Sequence, residues 1–245
     1  TTDYNAEMIG HVEGYPELRD RSIFVGNPND IIPHGFGKNL PNMRDWIPQH
    51  FEFCGYVLGE HPSQFGERLE LRKHFGYRDD EKICMVTVGG SGVGSALIKR
   101  ILDAYPIAKK ELPELRMIVV TGPRLDPEMF DLPVGVEARA FVPDLDRHLA
   151  ACDLALVQGG LTTTMELAAA GTPFIYFPLR NHFEQNFHVA HRLDQYNAGR
   201  KMIFAESDPE LIALAMVEEI TRPRTSLPVE ASGALGAASM LAEMF

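Results

Sequence analysis

The hydrophobic pattern after residue 82 alternates between short apolar runs and longer amphipathic stretches. The continuous apolar run at 83–88 predicts a strand buried on both faces, and further strands are predicted at 116–121, 136–141, 154–157 and 173–177. Helical patterns separate or follow them at 95–105, 144–151, 163–170, 184–195 and from Ser207, where Asp, Pro and Glu complete a capping-box pattern. This alternation predicts an α/β fold with a Rossmann-like, doubly wound parallel sheet. Such sheets bind ligands at the carboxyl ends of their strands.

The first 60 residues have a different pattern, with strand-like runs at 21–26 and 51–57. Prolines between the two runs argue against a long helix there, at Pro28, Pro33, Pro41 and Pro48. We interpret 1–60 as the end of a second, preceding α/β domain together with a linker, and 61–228 as the ligand-binding domain. The segment 229–245 predicts a carboxyl-terminal helix that either packs back across to the other domain or lies on the surface.

Charge and cysteine content narrow the function classes. The 245 residues carry a formal charge of −11, which removes bulk attraction to nucleic acid or anionic lipid but allows an anion to bind locally. No apolar stretch approaches the roughly 18 residues of a membrane span. The three cysteines lie in apolar runs and predict buried thiols of a reducing, cytoplasmic compartment. The start at Thr1, without an initiator Met or a secretory signal, suggests a fragment or a trimmed chain.

The first candidate loop reads Gly-Gly-Ser-Gly-Val-Gly at 89–94, between a buried strand and a helix. Its glycines let backbone N–H groups turn towards a phosphate at a helix N-terminus, and the structural alternative is a tight turn that needs positive φ. Ser95 stands where a dinucleotide fingerprint needs a further Gly or Ala and where a Walker loop needs Lys. The loop therefore disfavours NAD and P-loop ATP chemistry.

The second candidate loop, at 158–166, also follows an apolar strand and opens a helix. Gly159 and Gly160 leave backbone amides bare, and the threonines at 162–164 offer hydroxyls to a phosphate. Glu166 lies one turn into the helix, where a carboxylate can accept hydrogen bonds from a ribose diol. The structural alternative is a threonine cluster that caps the helix, with the glutamate favouring the dipole.

The third candidate loop, at 177–186, follows the next strand. Arg180 and His182 add local positive charge, and the structural alternative is a surface loop before a solvated helix start. The histidines nearby lack a zinc-like Cys/His arrangement, so no metal site is expected. Side chains suited to sugar hydroxyls close the loop at Glu184, Gln185 and Asn186.

These three loops, in this order, resemble the carboxyl-terminal donor-binding domain of a GT-B glycosyltransferase. The likeness is to the family 28-like group that includes the bacterial enzyme adding N-acetylglucosamine to the lipid-linked peptidoglycan precursor. The segment 159–171, followed by Pro173 and Pro178, is similar to that family's donor motif and matches the Gly-Gly-x-x-Ser/Thr-Thr-x-Glu core of UDP-sugar transferases. The resemblance extends from 51 to 220 and is most specific between 141 and 185.

The resemblance implies a role for each loop. The glycine-rich loops and the threonines face the diphosphate, the backbone at 141–142 reads the base, the glutamate of the second loop holds the ribose, and the third loop holds the sugar. Because the base is read by backbone groups, side chains do not distinguish UDP from TDP or GDP. The implied donor-binding positions are Gly89, Gly90, Ser91, Thr121, Phe141, Val142, Gln158, Gly159, Gly160, Thr163, Thr164, Glu166, Glu184, Gln185 and Asn186.

Three departures from the family pattern matter. Gln158 stands where relatives carry His or another basic residue, so it can donate a hydrogen bond to phosphate but supplies no charge. The pair Glu184-Gln185 replaces Asp-Gln or Gln-Gln, which leaves the sugar open. The amino-terminal acceptor domain is not in the chain, and 1–60 corresponds to its end and the linker. That domain usually supplies the general base, so the resemblance assigns no catalytic residue here.

The resemblance implies a metal-independent, inverting transfer of a sugar from a nucleotide-diphosphate donor, with UDP-sugar as the leading candidate, to an acceptor hydroxyl. The nucleotide-sugar is a substrate, so no cofactor is expected. The implied partners are the donor, an unidentified acceptor, and an amino-terminal domain or partner subunit; nucleic acid is not among them. Two alternatives remain: a UDP-sugar 2-epimerase on the same scaffold, and a non-catalytic donor-binding subunit of a split transferase. A dinucleotide-dependent dehydrogenase is disfavoured by Ser95.

Overall fold

A computed structural model of the chain describes residues 2–90, 92–224, 227 and 229–245. The helices are α1 (Thr2–Gly14), α2 (Met43–His50), α3 (Arg68–His74), α4 (Ser95–Glu111), α5 (Leu145–Ala151), α6 (Leu161–Ala170), α7 (Ala190–Gln195), α8 (Pro209–Ile220) and α9 (Gly233–Ala242). The strands are β1 (Ile23–Val25), β2 (Glu52–Gly55), β3 (Lys82–Thr87), β4 (Leu115–Val120), β5 (Val136–Arg139), β6 (Leu154–Val157), β7 (Phe174–Tyr176) and β8 (Arg200–Lys201). A π-helical turn at Glu184–Val189 leads into α7.

The chain forms two compact units. The first combines Thr1–Leu58 with Glu230–Phe245, and the second is Gly59–Val229. In the first unit β1 and β2 pair in parallel, and α9 packs against β2. Its apolar cluster is formed by buried side chains from α1, α2 and the connecting segment: Ile9, Ile31, Ile32, Met43, Trp46 and Ile47.

The second unit is built on one parallel sheet in the order β5-β4-β3-β6-β7-β8. Helices α4 and α8 pack against each other, while α5 packs with α3 and α6, and α6 with α7. Since parallel crossovers are right-handed and the chain extends the sheet in opposite directions from β3 and from β6, these two helix groups cover opposite faces. The predicted doubly wound parallel sheet is confirmed. The strands β3, β4, β6 and β7 are almost entirely buried, whereas the edge strands β5 and β8 are partly exposed.

Two helices continue through prolines, and one of them extends past its predicted end. The α4 helix includes Pro106 and runs to Glu111, six residues beyond the predicted end at 105, because Ala104, Tyr105 and Ala108 bury an apolar face that offsets the lost hydrogen bond. The α2 helix includes Pro48 near its end. It buries one apolar face in the first unit.

The start of α8 also differs from the prediction. Asp208, rather than Ser207, is the N-cap residue, and its carboxylate accepts a hydrogen bond from the Leu211 backbone N–H at 2.8 Å. Pro209 occupies the first helical turn as expected. The Ser207 hydroxyl instead donates to the Ile203 carbonyl at 2.8 Å. None of the described helices has the length and apolar run that a membrane span requires.

Candidate nucleotide-sugar site

The candidate site lies at the carboxyl edge of the sheet in the second unit. Strand order reverses between β3 and β6, since β3 has β4 on one side and β6 on the other. Thr87 and Val157 are register partners at the ends of these two strands. The loops that follow them, including the first two candidate loops, therefore leave the sheet side by side. Open α/β sheets bind ligands in the crevice at such a switch point.

The first glycine-rich loop is shaped by close backbone packing. Gly89 has φ +73°, and Gly94 lies against the side chain of Val88, where a Cβ atom would approach to 2.2 Å. Gly122, in the turn after β4, is so near that its Cβ would lie 2.6 Å from the Gly89 carbonyl oxygen. The loop and this turn thus form one surface before α4. Ser91 lies outside the described residues.

The second loop leads into the start of α6, where the backbone is accessible. Gly159 has φ +88°, and Gly160 is the N-cap residue of α6, with no atom within 4 Å of the position a Cβ would take. An anion can therefore approach the first amides of α6 without a side chain in the way. Gln158 precedes the glycines and is 8% exposed.

The threonines of the second loop do not share one environment. Thr164 is fully buried, its hydroxyl donates to the Gly160 carbonyl at 2.9 Å, and its backbone N–H donates to the same oxygen at 3.1 Å. In this arrangement it stabilises the first turn of α6. Thr162 is exposed and Thr163 is half-buried, so these two reach the solvent side of the helix start.

Glu166 is the ionisable side chain of α6, and its pKa is shifted. Burial, with a smaller contribution from the negative charge of Asp146 on α5, raises the pKa of the Glu166 carboxyl to about 7. A group that changes charge near neutrality suits a binding role, because a diol can compensate its burial with hydrogen bonds.

The third loop is closed by its own amide side chains. The Gln185 Oε1 atom accepts from the Leu179 backbone N–H at 2.8 Å, and Asn186 Nδ2 donates to the carbonyls of Leu179 and His182 at 2.7 and 2.9 Å. Glu184, at the start of the π-helical turn, is exposed. Gln185 is 9% exposed, and no hydrogen bond engages its amide nitrogen in the described part of the chain, while the nitrogen of Asn186 is engaged within the loop.

The remaining predicted positions lie beyond β4 and β5. Thr121 is buried, and its hydroxyl donates to the Leu125 carbonyl at 2.7 Å, so the side chain stabilises the turn. Phe141 is 75% exposed and Val142 is 3% exposed. The strand β5 ends at Arg139, before these two residues, which leaves their backbone outside the sheet ladder.

A cavity of about 730 Å³ adjoins the second and third loops. Gln158 and Asn186 line it together with apolar side chains from the start of α4 and from the segment after β8. Sequence reasoning did not place the segment after β8 at the site, although it too follows a parallel strand. The additional lining residues there and in the third loop are Arg180, Lys201, Ile203, Phe204, Ala205 and Glu206.

A doubly wound sheet with glycine-rich helix starts at its switch point defines the class of nucleotide-binding α/β domains. Within this class, the family model for the glycosyltransferase family 28 C-terminal domain matches residues 83–240, and the chain belongs to this family.

Two relatives agree with this family assignment. An uncharacterized glycosyltransferase of Methanosarcina mazei is 33% identical over 194 residues, which are 79% of this chain and 47% of the relative. The UDP-N-acetylglucosamine–N-acetylmuramyl-(pentapeptide) pyrophosphoryl-undecaprenol N-acetylglucosamine transferase of Mycobacterium avium is 33% identical over 152 residues, 60% of this chain and 36% of the relative. The chain spans about half the length of the first of these relatives.

Solved structures show the same fold. The glycotransferase of kitacinnamycin has a TM-score of 0.58 and 22% identity, covering 90% of this chain and 50% of that chain. The MurG protein of Acinetobacter baumannii has a TM-score of 0.52 and 20% identity, covering 71% of this chain and 52% of that chain. The predicted GT-B type of fold is confirmed by these likenesses.

Proposed function

We propose that this chain binds the nucleotide-diphosphate sugar of a glycosyltransferase that passes the sugar to an acceptor hydroxyl with inversion. The observation that carries the proposal is the pair of glycine-rich helix starts beyond neighbouring strands β3 and β6. Two helix N-termini at one crevice give a diphosphate more stabilisation than either gives alone. A chain of net charge −11 can hold an anion in this way, because the amides act over a short range.

The chemistry follows from charge development on the leaving group. As the acceptor oxygen attacks the anomeric carbon, the bond to the diphosphate breaks and negative charge builds on the leaving oxygen. Backbone amides at the starts of α4 and α6 would stabilise that charge without a metal ion, and they are already oriented before the reaction. Gln158 can add a neutral hydrogen bond. The base that removes the acceptor proton is assigned to the acceptor side, outside these loops.

The ribose and the sugar of the donor would be recognised by different parts of the site, the ribose by Glu166 of α6 and the sugar by the third loop. Glu166, as a carboxylate, can accept two hydrogen bonds from the 2′ and 3′ hydroxyls of a ribose. The free amide nitrogen of Gln185 can donate to a sugar hydroxyl, with Glu184 beside it on the exposed side. These assignments follow the family motif and the position of each side chain at the carboxyl edge.

Titration calorimetry of the intact protein with UDP, TDP and their sugars tests the proposal. We expect binding at or below millimolar ligand, and Glu166→Gln should weaken it about tenfold through loss of charge-assisted hydrogen bonds. Glu70→Gln, at an exposed position of α3, is the matched control and should leave binding unchanged. Absence of binding by every nucleotide at millimolar concentration would reject the proposal.

A further inference from the structure

Two cations line the cavity beside the third loop. Arg180 belongs to that loop, and Lys201 ends β8. Tyr176 and Lys201 are register partners on β7 and β8, so Lys201 lies at the end of one strand and Arg180 follows the end of its neighbour. Most of the other lining side chains are apolar, and Glu206 is the carboxylate among the lining residues that the structure describes. The wall therefore carries an excess of positive charge in a chain of net charge −11.

The backbone of the third loop is held directly before Arg180. Gln185 and Asn186 bond back to the backbone of Leu179, the residue directly before Arg180. The same two amide residues are the ones that the family motif assigns to the donor sugar. A sugar that contacts Asn186 in this cavity therefore shares the cavity with Arg180, which also lines it.

Neither cation is neutralised by the protein within the described part of the chain. No ion pair joins Arg180 or Lys201 to a carboxylate there. By contrast, Arg200, the neighbour of Lys201 along the chain, pairs with Glu218 of α8. Both side chains line this largely apolar cavity while remaining exposed to solvent. Cations placed there without a carboxylate partner favour an anionic group of the ligand, since a charge-assisted hydrogen bond is stronger than a neutral one.

We propose that the donor sugar carries a carboxylate, so that the donor belongs to the nucleoside-diphosphate hexuronic acids, with Arg180 and Lys201 as the residues that recognise the acid group. This inference rests on the proposed donor-binding function and names the substrate class of that site. An arginine beside a sugar can bind a carboxylate through two parallel hydrogen bonds, and the lysine adds a second positive charge. The rival role for the same cations is neutralisation of the donor's diphosphate, which every nucleotide sugar shares.

Calorimetry with matched donors separates these roles. UDP-glucose and UDP-glucuronate differ only in the group at C5, and the TDP pair serves in the same way if thymine is preferred. We expect the intact protein to bind the glucuronate donor about tenfold more tightly, as one charge-assisted pair provides. In Arg180→Gln and Lys201→Gln this ratio should fall towards one. Arg200→Gln, whose side chain pairs with Glu218, is the control and should keep the ratio near ten.

Each outcome has a separate meaning. Equal affinity of the unsubstituted protein for the two donors overturns the inference. Weakening of both donors by the same factor in Arg180→Gln and Lys201→Gln, with the ratio retained, also overturns it and assigns the cations to the diphosphate. Binding of UDP and of UDP-glucose in either case shows that the proposed donor-binding function survives. Absence of binding by all nucleotides rejects that function itself. Circular dichroism and thermal midpoints confirm that the variants are folded.

Discussion

A Cβ atom on Gly122 would lie 2.6 Å from the carbonyl oxygen of Gly89, so the turns after β4 and β3 meet backbone to backbone. Gly122 also has φ +81°, which a side chain strains. We expect Gly122→Ala to lower the free energy of unfolding by about 1–3 kcal/mol, because both the contact and the dihedral angle are violated. Denaturant unfolding measures this change.

The neighbouring loop provides a matched control for this substitution. A Cβ on Gly90 would meet Pro123 at 3.7 Å, an ordinary contact, and the backbone there is outside the left-handed region. Gly90→Ala should therefore change the free energy of unfolding by less than about 0.5 kcal/mol. Equal destabilisation by the two substitutions would contradict the steric argument.

Donor binding should depend on pH through Glu166. Its pKa is raised to about 7, so the carboxylate form, which we propose accepts from the ribose diol, predominates above that pH. Between pH 6 and 8 the ionised fraction rises about tenfold, and the affinity should rise by up to that factor. Calorimetry with UDP-N-acetylglucosamine measures this, since its diphosphate does not titrate in the range. Glu166→Gln should flatten the profile.

Removal of the neighbouring charge gives an independent check on that profile. Asp146 is the second cause of the raised pKa of Glu166, after burial. Asp146→Asn should lower the pKa of Glu166 and move the midpoint of the binding profile to lower pH. A profile that stays in place in this variant would mean that another group controls the pH dependence.

Acid should destabilise the second unit through His148. Burial, then the positive charge of Arg139, lowers the pKa of its imidazole from 6.5 to about 4, and the Tyr77 hydroxyl lies 2.5 Å from Nδ1. The unfolded chain therefore binds the proton more readily than the folded protein. Stability is fully present above pH 6.5 and should decline by about 2 kcal/mol as the pH falls towards 4.

A variant without the imidazole isolates this contribution. His148→Gln should unfold with a smaller loss of stability between pH 6.5 and 4 than the unsubstituted protein, as measured by urea unfolding at several pH values. An unchanged slope would assign the acid sensitivity to carboxylates instead.

The carboxylate of Asp153 holds the start of the central strands. It accepts from Arg68 at 2.7 Å, from Arg72 at 2.9 Å and from the Ile83 backbone N–H at 2.8 Å. Although burial acts to raise the pKa of Asp153, these hydrogen bonds lower it overall. Asp153→Asn should cost about 3 kcal/mol of unfolding free energy, because it leaves the Arg72 guanidinium buried without a counter-charge.

An exposed ion pair is the appropriate comparison for Asp153. Asp80 pairs with Arg78 at 2.9 Å on the surface, with both side chains largely in water. Asp80→Asn should produce no measurable change in denaturant unfolding, since solvent screens the pair. A similar loss in both variants would show that burial is not the source of the effect.

The central strands of the sheet were predictable because parallel strands that are buried on both faces have continuous apolar sequences. Ile83 to Val88 contains no charged position, and neither does Leu154 to Val157. Helix ends were less accurate, since tertiary packing decides whether a helix continues past Pro106. The α1 helix was not predicted, as its sequence has little apolar periodicity.

The candidate site was predictable where the backbone conformation restricts the residue type. Glycines at 89 and 159 adopt positive φ, and this requirement is visible in the sequence. The inward hydroxyl of Thr164 was not predictable, because a threonine at a helix start can face either side. Lys201 and Phe204 were not predicted as site residues, because no local sequence pattern shows that β8 ends beside β7.

The first unit draws its residues from both sides of the second in the sequence. Gly236 allows α9 to approach β2 so closely that a Cβ there would lie 2.8 Å from the Cys54 carbonyl oxygen. On the ribosome, β2 is made before Gly59–Val229 and α9 only after it. The second unit can therefore fold during synthesis before α9 is available to the first unit. The apolar surface of the first unit that α9 covers stays exposed until then.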